Sequence, residues 1–137
     1  MDSILVRDVM DASIVPLNPE ASLAQAVDRI TDSHHLGLPV VDGERKLVGF
    51  LSEQDCIKYV ISGSYYADSL TRVGDIMNAE PLLVSANESV LALAERMQTG
   101  KPKNYPVCDE GKLVGLVTRS AVIRALNDKI KTTKIAI

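Results

Sequence analysis

Apolar residues recur along the chain at two spacings. Leu23, Ala26, Val27 and Ile30 stand at i, i+3, i+4 and i+7, and Val90, Leu93, Ala94 and Met97 repeat the pattern. Each set predicts an amphipathic helix. Ser22 precedes the first set and Gln25 follows it by three, the spacing of a capping box. Leu38 to Val41 and Tyr105 to Cys108 are short apolar runs, each followed by a charged turn containing Gly, Asp42-Gly43-Glu44-Arg45-Lys46 and Asp109-Glu110-Gly111-Lys112. They predict strands and tight turns. Leu47 to Leu51 and Leu113 to Val117 are continuous apolar runs, expected as strands buried on both faces. Each ends in a hydroxyl, Ser52 or Thr118, suited to cap a further helix. In those helices Cys56, Ile57, Val60 and Ile61 form one apolar stripe, and Val122, Leu126 and Ile130 its counterpart.

The two series are one pattern written twice. Val6-Arg7-Asp8-Val9-Met10 recurs as Val73-Gly74-Asp75-Ile76-Met77, a shift of 67 residues (73 − 6). Ser22-Leu23 returns as Ser89-Val90 and Pro39-Val40-Val41-Asp42 as Pro106-Val107-Cys108-Asp109 at the same shift. Leu47-Val48-Gly49 returns as Leu113-Val114-Gly115, one residue having been lost in the turn. Two copies of one strand-helix-strand-strand-helix unit are therefore expected. The first copy spans 1–62, a connector 63–72, the second copy 73–130 and a basic C-terminal tail 131–137. The tail reads as a solvated end or as an arm for nucleic acid.

Composition narrows the class. With 137 residues, 46% hydrophobic and 24% charged, the chain has the make-up of one globular unit. Aromatics are only 4%, without Trp, so the core is aliphatic. A copy of about 60 residues is marginal alone, and the two copies are expected to pack sheet to sheet in one core. The net charge of −3 gives no general attraction to nucleic acid or to an anionic membrane. No apolar run reaches the roughly 18 residues of a membrane span, and the start lacks a basic-then-apolar leader pattern. A cytoplasmic protein is expected, with Cys56 and Cys108 reduced and buried. No nucleophile-base set, paired carboxylates, glycine-rich phosphate loop or metal motif is present in the pattern, so no enzyme is expected.

The ordered elements, occurring twice between about Val6 and Lys129, resemble the tandem cystathionine-β-synthase (CBS) domain pair, or Bateman module. Shared are the Asp-hydrophobic-Met opening, the Ser-hydrophobic helix start, the Pro-Val-hydrophobic-Asp strand and the Gly-hydrophobic-hydrophobic-Ser/Thr ending. The resemblance implies an α+β fold of two β-α-β-β-α repeats related by a pseudo-two-fold axis. It implies a regulatory module that binds an adenosine-containing ligand, AMP, ADP, ATP or S-adenosylmethionine, between the copies. A homodimer forming a flat disc, with Tyr65 and Tyr66 as interface candidates, and an unidentified regulated protein are implied as partners.

The family motif Gly-x-x-Ser/Thr-x-x-Asp is intact in the first copy as Gly49-Phe50-Leu51-Ser52-Glu53-Gln54-Asp55. By resemblance Ser52 contacts ribose or phosphate and Asp55 accepts from both ribose hydroxyls. The same pair also reads as a helix cap worth about 1 kcal/mol, and the two roles are compatible. The second copy reads Gly115-Leu116-Val117-Thr118-Arg119-Ser120-Ala121. Ala121 cannot accept from a diol, so that site is expected to be weak, empty, or used by something without a ribose. The base is expected against Val15-Pro16-Leu17 and His35-Leu36-Gly37-Leu38 of the same copy. Pro16 and its counterpart Leu83 replace a Thr common in the family. His34 and His35 also suit a helix C-terminus. Lys103 and Arg119 are phosphate candidates for the first copy's site or solvated surface residues. A ligand-independent dimerisation scaffold is the alternative function.

Overall fold

The computed structural model describes residues 3–63, 70–98 and 100–135. The expected connector residues 64–69, with Tyr65 and Tyr66, lie outside them. A single helical turn α1 (Val6–Val9) opens the chain, followed by α2 (Leu23–Ser33), β1 (Gly37–Val41), β2 (Leu47–Ser52) and α3 (Glu53–Ser62). The second series is α4 (Val73–Ile76), β3 (Val84–Ser85), α5 (Val90–Arg96), β4 (Asn104–Asp109), β5 (Lys112–Thr118) and α6 (Arg119–Ile135). The α+β architecture of two repeats is as the pattern requires.

Local chemistry sets these elements. Ser22 Oγ accepts from the Gln25 amide and Gln25 Oε1 accepts from the Ser22 amide, the expected capping box. Leu23, Ala26 and Ile30 bury the inner face of α2, and Val90 and Leu93 that of α5, with Met97 buried at its C-cap. Each hairpin, β1–β2 and β4–β5, is antiparallel and shifts register at one point, between Val40 and Val41 or between Val107 and Cys108.

Four expectations change. The first strand shrinks to Leu17, which bridges Val40 in parallel, because Pro16 has no N–H to extend a ladder. Its counterpart β3 is two residues long and pairs with Val107 and Cys108 of β4. Burial on both faces belongs to β1, buried throughout, and not to β2, where only Gly49 and Leu51 are buried. Helix α6 runs to Ile135, through the residues read as a tail. In α3 only Cys56 is buried, and Ile57, Val60 and Ile61 remain in the solvent.

The short helices α1 and α4 exchange places between repeats. Val6 is fully buried with Val84, Val90, Leu93, Val107, Val117 and Val122, in the core of the second repeat. Val73 is fully buried with Leu17, Leu23, Ile30, Val40 and Leu51, in the core of the first. Asp8 Oδ2 accepts from the Leu5 amide, and Asp75 Oδ2 from the Arg72 amide, so the Asp of each opening motif closes its own turn. The exchange is pinned by reciprocal backbone pairs: Asp11 with Leu116 (2.7 and 3.0 Å) and Asn78 with Phe50 (2.9 Å both ways). A sequence copy and a spatial core are therefore different sets of residues.

Candidate functional site

Two clefts lie where the strand ends of one repeat meet segments of the other. The first is a hollow of about 200 Å3 lined by Phe50, Ser52, Asp55, Asn78, Pro81, Leu82, Pro102, Asn104, Tyr105 and Pro106. Ser52 closes β2 and caps α3, and Asp55 stands one turn in. Ser52 Oγ accepts from the Asp55 amide (3.1 Å) and Asp55 Oδ2 accepts from the Ser52 amide (3.0 Å). The pair is a complete capping box, and Asp55 Oδ1 has no hydrogen bond among the described residues. Beneath it the Cys56 thiol is pushed up to about 11, by burial first and then by the charges of Asp55 and Glu53.

The second cleft is divided. One part, about 360 Å3, is lined by His34, His35, Leu36, Lys103, Asn104, Thr118, Arg119 and Ser120. The other, about 270 Å3, is lined by Asp11, Ser13, Ile14, Val15, Arg29, Asp32, Ser33, His35 and Leu38. His35 lines both, with Nε2 held 3.0 Å from Asp11 Oδ2. A side-chain hydrogen bond from Ser13, then one from His35, holds the Asp11 carboxyl below its ordinary value. Thr118 Oγ1 accepts from the Ala121 amide (3.1 Å), so Thr118 caps α6. Buried Asn104 lines both clefts, and with its amide oriented toward Lys103 O (3.0 Å) and its oxygen toward Leu36 N (3.2 Å) it ties their walls together.

The structure regroups the sequence candidates. Ser52 and Asp55 share the first cleft with Pro81, Leu82, Pro102 and Tyr105. The wall expected for them, Val15, His35, Leu36 and Leu38, lines the second cleft instead. Pro16 lines neither cleft and its carbonyl accepts from Arg29 Nη2. Gly37 is buried opposite Ser52 in the β1–β2 register, without lining a cleft. Lys103 and Arg119 line the second cleft with Thr118, not the first, and the Arg119 amide donates to Lys103 O (2.8 Å). The exchange of α1 and α4 carries Asn78, Pro81 and Leu82, which follow α4, onto the Ser52 helix mouth, while Val15 lines a hollow made of residues 11–38. The missed residues were reachable from the 67-residue shift: Leu82 answers Val15, Pro102 answers His35 and Tyr105 answers Leu38.

Two repeats with exchanged openings, and a capped helix mouth in each cleft, define a tandem ligand-cleft module. A family model for the CBS domain matches residues 6–62 and 73–128, and the chain belongs to the CBS-domain family. The crystal structure of CBSX2, a CBS-pair protein of Arabidopsis thaliana, superposes with TM-score 0.81 at 27% identity, covering 95% of this chain and 99% of that one. CBSX2 in complex with AMP gives TM-score 0.79 at 29% identity, covering 93% and 98%. Among curated sequences, chloroplastic CBSX1 of Arabidopsis thaliana is 29% identical over 135 residues, 80% of this chain and 57% of its own length. An uncharacterized protein of Methanocaldococcus jannaschii is 24% identical over 88% of this chain, which spans 42% of that protein. Inosine-5'-monophosphate dehydrogenase of Bifidobacterium longum is 37% identical over 74% of this chain, but only 18% of the enzyme is covered. No helix among the described residues is long and apolar enough to cross a membrane.

Proposed function

We propose that the chain is a regulatory sensor that holds one adenosine-containing ligand, AMP, ADP, ATP or S-adenosylmethionine, in the first cleft. The observation that carries this reading is the combination of a free carboxylate oxygen, Asp55 Oδ1, with an apolar slot of Phe50, Pro81, Leu82 and Pro106. A ribose diol donates to the carboxylate while a base fills the slot, and the AMP complex of CBSX2 supports the ligand class. Occupancy changes the angle between the repeats and so acts on a regulated protein in the cytoplasm, with no catalytic step. Isothermal titration of AMP, ATP and S-adenosylmethionine is expected to find one site per chain, lost in Asp55→Ala and kept in Ser22→Ala. At 100 times its dissociation constant the ligand stabilises the fold by about 2.7 kcal/mol, read as a thermal shift. Two equivalent tight sites, or binding undiminished in Asp55→Ala, overturn the reading.

The second reading, a scaffold without ligand, is favoured by one observation: the Ser52–Asp55 cap is complete by itself. Both readings include a homodimer. Its surface is the apolar face left by Ile57, Val60 and Ile61 on α3. No thermal shift with any adenosine compound selects the scaffold.

A further inference from the structure

The two clefts differ in chemistry more than a single missing carboxylate requires. The first is walled by Phe50, Pro81, Leu82, Pro102, Tyr105 and Pro106 and contains an acid. The 360 Å3 part of the second has four side chains that are or can become cationic, His34, His35, Lys103 and Arg119, and no carboxylate in its lining. Leu36 is its one large apolar side chain, so it has no slot for a base. The apolar residues that answer the first cleft's slot, Ile14, Val15 and Leu38, lie in the neighbouring hollow, and His35, held to Asp11, stands between.

Lys103 and Arg119 are cationic side chains. Neither joins an ion pair among the described residues, where the acids of the three pairs found go to Arg7, His35 and Arg96. Two unpaired cations beside one cavity repel each other, and a multiply charged anion removes that cost. A ribose gains nothing there, because Ala121 occupies the place of Asp55 and Asp11 is already engaged by Ser13 and His35. The Thr118 and Ser120 hydroxyls complete a set of donors suited to phosphoryl oxygens.

We propose that this cavity is a second, separate site for a compact phosphate anion without a cis-diol, the phosphoryl groups being held by Lys103, Arg119 and the two hydroxyl groups. It functions independently of the nucleoside cleft, so each chain takes two chemically different ligands.

The probe is inorganic triphosphate, titrated calorimetrically into the full chain at low salt, with and without saturating AMP. Binding is expected at one site per chain, unchanged by AMP and by Asp55→Ala, and weakened about tenfold by Arg119→Ala and by Lys103→Ala. Both side chains are exposed, so the variants fold, and unchanged thermal midpoints without ligand verify this. Absence of triphosphate binding overturns the proposal. Competition between triphosphate and AMP also overturns it, and assigns Lys103 and Arg119 to the phosphates of a first-cleft nucleotide. If AMP does not bind but triphosphate does, with loss in Arg119→Ala, the sensor reading of the first cleft falls and this site stands.

Discussion

Ser52 and Asp55 hold one another through two backbone amides before any ligand arrives. Ser52→Ala therefore has two effects that separate: about 1 kcal/mol lost in urea unfolding, as for Ser22→Ala, and weaker AMP binding, which Ser22→Ala does not share. A β-carbon at Gly37 would stand 2.6 Å from Phe50 Cε1, 2.7 Å from Leu51 O and 2.8 Å from Ser52 Cα. Two of those neighbours are backbone, so Gly37→Ala is expected to cost about 1–3 kcal/mol in the denaturation midpoint. Asp11 makes stability pH-dependent. Its folded pKa lies below the ordinary 3.8, so its contribution is whole above that value and is lost as pH falls through the folded one. Urea midpoints of wild type and Asp11→Asn are expected to differ near neutral pH and to converge as pH drops below 3.8; a constant gap sinks the assignment. Of these residues the Ser52–Asp55 pair was legible, because a cap is written at a three-residue spacing. The contact of His35 with Asp11 spans 24 residues and follows no local pattern.

Helices α2 and α5 were legible because each runs through most of an apolar period and buries it. The turns α1 and α4 were not, since four residues hold about one turn and show no recurrence. Helix α3 was readable in place but not in role: its stripe is apolar, yet only Cys56 turns inward. That position governs the thiol. A helix start favours a thiolate, but burial and the adjoining Asp55 and Glu53 charges outweigh it and raise Cys56 to about 11. Cys108, expected buried, is only half-buried, at the end of β4 where the register shifts, and the burial it has raises its thiol as well. Iodoacetamide at mildly alkaline pH is expected to leave both cysteines unmodified in the native protein and to modify both in urea, as counted by mass spectrometry. Native alkylation of Cys56 would show α3 opening from the core.

At the scale of the whole molecule the repeat was legible and its assembly was not. Val6 and Val73 present the same side chain to equivalent pockets, so hydrophobic pattern is identical whether each turn packs on its own copy or on the other. Pairing across the repeats, such as Asp11 with Leu116, Asn78 with Phe50, Val6 with Glu88 and Val73 with Ala21, distinguishes the two, and pairing partners leave no periodic mark. That ambiguity put Pro81 and Leu82 at the Ser52–Asp55 mouth where Val15 was expected. The exposed Ile57 and Val60 give the assembly prediction: light scattering at micromolar concentration is expected to show a dimer, and Ile57→Glu with Val60→Glu a monomer. The exchange also makes the covalent link between halves dispensable once the chain has folded. A protease site inserted between Gly63 and Leu70, then cut, is expected to yield two fragments that elute together from gel filtration and part only in denaturant, because each half keeps its first turn clasped inside the other.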